Sequence, residues 1–282
     1  MAHPHAFGSR RIGSVNWLGL RTLVGREVLR FLKVWMQTIL APAIQAVLFF
    51  LIFAVVLGGS GRVTSAVPYA QFLAPGLAIM ALTQNAFQNS ASSLIISKIQ
   101  GTIVDLLMPP LSASELVAGF VLGAMIRAVI VAIVLLGLFW LLPLDAVVIR
   151  QPWAIVYFGV SAAVFMALIG LLTGIVAEKF DHVATVTNFV VAPLTLLSGT
   201  FYSLGVLQQR MSEAGWADSQ VDTLATGLNL NPFFYMIDGF RYGFIGRADS
   251  DILVGAVLLL ALNAALWALA WYVFRRGWRL KA

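Results

Sequence analysis

Two rows of hydrogen-bonding side chains cross a stretch that is otherwise apolar: Gln84, Gln88 and Ser92 recur at a spacing of four, and Asn85, Asn89 and Ser93 repeat it one position on. On a helix the rows form adjacent stripes. Unpartnered amides are costly in hydrocarbon, so this face must meet another helix, water or the path of a solute. Helix-to-helix hydrogen bonding and the lining of a translocation path are both open. Arg127 is the second group of this kind. It lies about 18 Å along its helix from Glu115 at 1.5 Å per residue. An arginine at that depth needs a carboxylate, backbone carbonyls or a water-filled cavity, unless tilt lets it snorkel to the inner interface. Structural pairing and substrate contact are both open for it.

Bond-making chemistry has no such footing. The chain has no phosphate-cradling G-x-x-x-x-G-K-[ST] loop, dinucleotide fingerprint, H-E-x-x-H or G-x-S-x-G elbow. With no cysteine, disulfides, thiolate metal sites and cysteine nucleophiles are excluded. Only three histidines occur, His3, His5 and His182, and no His/Asp/Glu cluster has metal-ligand spacing, so no metal site is expected. The acids sit almost entirely between the apolar stretches, which leaves no proton relay. Energy for uphill transport would have to arrive from outside the chain.

The elements that carry these residues follow from composition. Of 282 residues, 60% are hydrophobic and 11% charged, and the mean hydropathy is +0.92. This is an all-α integral membrane protein. Stretches long enough to cross hydrocarbon lie at 36–57, 72–94, 116–142, 153–177, 183–204 and 252–274. Six spans put both termini on one side. Arg10, Arg11, Arg21, Arg26, Arg30 and Lys33 precede the first span, Lys98 and Lys179 lie in loops on the same side, and Arg275, Arg276, Arg279 and Lys281 follow the last. The positive-inside rule makes that side the cytoplasm. The opposite side holds Arg62, Arg150, Arg210, Arg241 and Arg247 with most of the acids. The net charge of +6 is therefore a signal of topology, and no nucleic-acid partner is expected. No cleavable signal is expected at the N-terminus, because its basic stretch runs into a full-length span.

Residues 12–35 read as an amphipathic interfacial helix with Trp17, Leu20, Val24, Val28, Phe31 and Trp35 on one face. Arg26, Arg30 and Lys33 cluster opposite, toward headgroups or a partner. Residues 97–110 read as a short amphipathic helix in a cytoplasmic loop, stopped by Pro109-Pro110 and followed by a capping box, Ser112 and Glu115, that starts the third span. It is open whether this helix docks another protein or lies in the headgroup layer. Gly119/Gly123 and Gly170/Gly174 have the spacing that lets helices approach closely. Pro193 is expected to bend the fifth span, which also carries Thr187, Asn188 and Thr195. The external segment 205–251 ends in an apolar piece from Asn231 that is too short to span. It reads as re-entrant or interfacial, with Asp238 and Arg241 paired at i,i+3.

The order of these pieces resembles the ABC-2-type permeases, the membrane subunits of bacterial ABC exporters, and in particular the drug, lipid and lipo-oligosaccharide export branch. The resemblance rests on Arg26 to Phe31, on Tyr69-Ala70-Gln71-Phe72-Leu73-Ala74-Pro75-Gly76, on Gly101 to Pro110 running into Glu115, and on Pro193 to Tyr202 leading to Asn231-Pro232 and Arg241. It implies a homodimer in the bacterial inner membrane, joined to two copies of a separate ATPase that binds ATP and Mg. It also implies a coupling helix contacting that ATPase through Ile99, Ile103, Asp105 and Leu107. The path would lie between protomers, lined partly by Gln84, Asn85, Gln88, Asn89, Thr187, Asn188 and Thr195. The substrate expected is amphipathic or lipid-like, and the re-entrant region would hold Asn231, Pro232, Asp238 and Arg241. The segment from Leu204 to Asn231 is about ten residues longer than in that branch. Two other readings of the residues are a self-sufficient channel or secondary carrier, and a membrane scaffold for a soluble partner.

Overall fold

The computed structural model describes residues 13–54 and 67–278. Arg10, Arg11, Arg62, Arg279, Lys281, His3, His5 and the expected end of the first span at 55–57 lie outside them. The regular elements that order the described chain are helices: α1 (Trp17–Leu32), α2 (Met36–Ile52), α3 (Tyr69–Ile99), α4 (Ile103–Leu107), α5 (Ala113–Leu141), α6 (Pro152–Val176), α7 (Phe180–Leu197), α8 (Leu204–Glu213), α9 (Asp218–Asn229), α10 (Pro232–Ile245) and α11 (Ile252–Arg276). Among the described residues α5, α6, α7 and α11 are long and apolar enough to cross a membrane, and α1 with α2, meeting at 79°, form a fifth, broken candidate. α3 has the length, at 31 residues, but not the hydropathy. Its amide and hydroxyl rows lower it, and the helix is shielded instead of lipid-facing: most of it is buried between α5, α6 and α10.

Close approach makes this shielding possible. α3 and α6 form the most extensive helix contact, and Gly170 and Gly174 lie in it. A Cβ at 174 would stand 3.0 Å from the Ala91 carbonyl oxygen, and one at 170 would collide with the Phe87 backbone. Gly119 and Gly123 on α5 serve α1 in the same way, facing Leu23 and Glu27. Both small-residue pairs are thus packing devices, although the first receives the entry helix and not another span.

α1 departs from the expected orientation. Leu23, Glu27 and Phe31, at spacing four, are its buried residues, while Trp17, Leu18, Leu29 and Leu32 are exposed. Arg26 and Arg30 reach into the bundle to hydrogen-bond α3. The basic face is turned inward because α3 offers it oxygens. At the corner into α2, buried Thr38 shares its hydroxyl between the carbonyls of Phe31 at 3.0 Å and Val34 at 3.1 Å, fixing the bend.

The capping box at α5 is present as expected: Glu115 N donates to Ser112 Oγ at 3.3 Å, and Ser112 N to Glu115 Oε2 at 2.6 Å. The cytoplasmic helix is divided. α3 runs on through Ile99, Gly101 at φ +70° breaks it, and only the five residues of α4 follow before the prolines. The fifth span also shifts, from 183–204 to 180–197. Gly199 at φ +82° ends it, and a π turn at Thr187–Val191 precedes Pro193. The segment after it folds as the helices α8 and α9. α10 then spans 14 residues, about 21 Å at 1.5 Å per residue, which is too short to cross. It packs mainly on α6 and also on α3 and α11.

Candidate functional site

α3 carries a ladder of polar contacts, one rung per helical turn. At Asn85, the side-chain oxygen accepts from Arg127 Nε at 3.2 Å and Nη2 at 2.9 Å. At Asn89, both the backbone and the side-chain oxygen accept from Arg30 Nη2, at 3.0 and 3.1 Å. Ser93 donates to Glu27 Oε1 at 2.7 Å. Ser97 accepts from Arg26 at 3.3 Å. Glu27 is fully buried, and its other oxygen pairs with Arg30 at 2.9 Å, the only ion pair among the described residues. A carboxylate is tolerated there because a guanidinium and a hydroxyl both meet it.

In the neighbouring row Ser92 accepts from Arg30 Nη1 at 3.3 Å, and Gln84 and Gln88 stay open. Gln84, Gln88 and Ser92 are half-buried and, with Arg30, Arg127 and residues of α2 such as Gln37, Gln45 and Phe49, they line a cleft of about 580 Å³. The two stripes therefore divide the uses left open by the sequence. Asn85, Asn89 and Ser93 tie helices together, whereas Gln84 and Gln88 face space. Arg127 does both, since it pairs with an amide oxygen and also forms cleft wall.

A second polar cluster sits where α10 meets the end of α7. Asn231 caps α10 by accepting from Phe233 N at 3.0 Å, Pro232 takes the first helical position, and Asn231 Nδ2 donates to Ser198 Oγ at 2.8 Å. Arg241, almost wholly buried, donates to the carbonyls of Gly199 at 2.6 Å and Thr200 at 3.4 Å and stacks over the Phe72 ring at 3.7 Å. Its expected pairing with Asp238 is not made. Asp238 instead accepts from the amides of Asp249 at 3.0 Å and Ser250 at 2.8 Å and from the Ser250 hydroxyl at 2.6 Å. Backbone groups of two loops outcompete the i,i+3 contact because each residue gains several hydrogen bonds there.

Toward the α4 side, a groove of about 590 Å³ lies between the start of α1 and α4, lined by Trp17, Leu18, Thr22, Asp105 and Pro109 among others. A clasp holds its walls. Asn16 N donates to Glu115 Oε1 at 2.5 Å, and Asn16 Nδ2 to the Pro110 carbonyl at 3.2 Å. Of the four residues expected to contact a partner, Ile99 and Asp105 are exposed, Leu107 is half-buried and Ile103 is buried in the core with Leu106. Val104 and Met108 are the exposed apolar residues beside them.

Gln84, Asn85 and Gln88 of the second span line the cleft, whereas Thr187, Asn188 and Thr195 of the fifth do not. Asn188 is exposed on α7 and Thr187 half-buried, its hydroxyl bonded to the Val183 carbonyl at 2.8 Å. Thr195 is fully buried, bonded to the Val191 carbonyl at 2.6 Å, so it faces protein. Sequence reasoning missed Glu27. Its spacing of four from Leu23 and Phe31 was the available signal.

Among the described residues, a helical bundle with apolar outer helices, an entry helix bent at 79° and a short buried helix before the last span defines a multi-helix membrane protein. The chain belongs to the ABC-2 type transporter family, whose profile matches residues 19–245. It is 34% identical over 269 residues, 94% of this chain and 98% of the relative, to the inner membrane transport permease YadH of Escherichia coli K12. The YadH proteins of Escherichia coli O157:H7 and Shigella flexneri match over the same 269 residues with the same identity.

Proposed function

We propose that this chain is the permease subunit of an ATP-binding cassette exporter, moving an amphipathic or lipid-like substrate from the cytoplasm or inner leaflet. In this reading two copies form a dimer, and each seats a separate ATPase that binds ATP and Mg. With α3 counted as a shielded span, the chain crosses the bacterial inner membrane six times and keeps both termini in the cytoplasm. The observation that carries the reading is the groove between α1 and α4. Exposed Asp105 lines it, exposed Val104 and Met108 lie near Asp105 in the chain, and α1 connects the groove wall directly to the ladder beside the cleft. Motion imposed on α4 and α1 by a partner that binds ATP differently in two states would then reach Arg30 and the cleft. The sequence itself supplies no nucleotide-binding loop, so the partner must.

The test is reconstitution with a candidate ATPase subunit. Val104→Asp and Met108→Asp should leave the permease folded and abolish substrate-stimulated ATP hydrolysis. Unchanged stimulation in both would sink the docking assignment. Glu27, as a buried carboxylate, favours a secondary carrier as the competing reading, because protonatable groups at depth serve proton coupling. Substrate movement driven by a proton gradient in liposomes holding this chain alone would establish it.

A further inference from the structure

We infer that the cleft between α2, α3 and α5 binds the anionic headgroup of an amphiphile, with Arg127 as its principal charge partner; this deepens the exporter reading and rests on it. The cleft wall has two guanidinium groups, Arg30 and Arg127, and no acidic residue lines it. Glu27 behind the wall is fully buried and engaged by Arg30 and Ser93. One carboxylate against two guanidiniums leaves one positive charge uncompensated, and it resides on Arg127. That side chain is nearly buried, holds only the neutral Asn85 oxygen, and has no carboxylate within ion-pair distance among the described residues.

A cation at membrane depth is otherwise met by a carboxylate or by backbone carbonyls, and among the described residues Arg127 has neither. Here the space beside it is open, and what faces that space is rich in donors. Gln84 and Gln88 bring side-chain amides beside the Arg30 and Arg127 guanidiniums. Guanidinium and amide donors together suit phosphate or carboxylate oxygens. The opposite wall, from α2, mixes Gln37 and Gln45 with Pro42, Ala46 and Phe49. An apolar strip facing a cationic wall matches a molecule with a charged head and a hydrocarbon tail, and not a free anion.

The experiment uses the full chain in a neutral detergent and two fluorescent probes with identical tails, a labelled phosphatidic acid and a labelled phosphatidylcholine, read by anisotropy. The anionic probe should bind about tenfold more tightly, as one charge-assisted contact suggests. Arg127→Gln should bring the two probes within about twofold of each other, and Arg127→Lys should keep most of the preference. Gln88→Glu, a change at the half-open row that leaves the buried ladder intact, should weaken the anionic probe alone and so decides the matter where Arg127→Gln does not fold. Equal binding of both probes by the unaltered chain would overturn the inference. So would a preference that survives both Arg127→Gln and Gln88→Glu, or displacement of the anionic probe by excess inorganic phosphate, which would mark a free-anion site. Probe binding needs neither ATP nor the ATPase. Retained preference with failed ATPase coupling therefore tells against the exporter reading, and lost preference with intact coupling tells against the headgroup site.

Discussion

Two buried arginines in this bundle live under different conditions. Arg241 is held by backbone carbonyls of the turn after α7 and by the face of Phe72, while nearby Asp238 is saturated by loop amides. Arg127 is held by a single side-chain oxygen and borders open space. The first is wired into the chain itself, since carbonyls cannot leave without refolding the turn. The second depends on a rotatable amide and has room for another partner. Depth alone thus says little about purpose; the kind of partner distinguishes a staple from a site.

The sharpest challenge to that distinction lies at the staple. Arg241→Met removes the donors for Gly199 and Thr200 and a cation–π contact, for an expected cost of about 2–4 kcal/mol. Transport per folded molecule should be unchanged. If activity falls while the melting point holds, the staple is itself a site. At the matched rung, Glu27→Ala removes the carboxylate that pairs with Arg30 and accepts from Ser93, and should cost up to about 3 kcal/mol, the low end for breaking a buried pair, because Arg30 keeps its bonds to Asn89 and borders the cleft. Thermal unfolding in detergent would read it, and a loss of less than about 1 kcal/mol would mean that the ladder is already hydrated.

Asp238→Asn keeps one acceptor and loses the charge, so a cost of about 1–2 kcal/mol is expected. Hydrogen exchange at the Asp249 and Ser250 amides would localise it. Smallest in stability is Arg127→Gln, within about 1 kcal/mol, because lost hydrogen bonding is offset by removal of an uncompensated buried charge. Its substrate-stimulated ATP hydrolysis should nevertheless fall about tenfold. A large loss of stability with normal stimulation would move Arg127 into the class of Arg241.

Much of this was legible in the residues. Ser112 and Glu115 form their box because both partners lie within one turn. The amide rows of α3 were readable because periodicity fixes which side chains share a face. Periodicity did not say which row would be covered, since that depends on Arg30 and Arg127 arriving from other helices. Glu27 was obscured by its basic neighbours: Arg26 and Arg30 pointed to a face toward headgroups or a partner, and only the packing of Leu23 and Glu27 on Gly119 and Gly123 reverses it. The Asp238–Arg241 pairing failed for a related reason, because sequence spacing sees helix neighbours and not the amides of a loop eleven residues on. Thr195 could not be oriented, as a threonine satisfied by the preceding turn sits equally well on either face.

The repeat of the ladder has a mechanical meaning. Oxygen-bearing side chains stand at 85, 89, 93 and 97, four residues apart; α1 meets the last three through Arg30, Glu27 and Arg26, and Arg127 of α5 meets the first. A slide of α3 past α1 by one turn, about 5.4 Å, would bring Arg30 opposite Asn85 or Ser93, each with a side-chain oxygen. The contact is a rack with evenly cut teeth, firm against separation and permissive of stepping along its length.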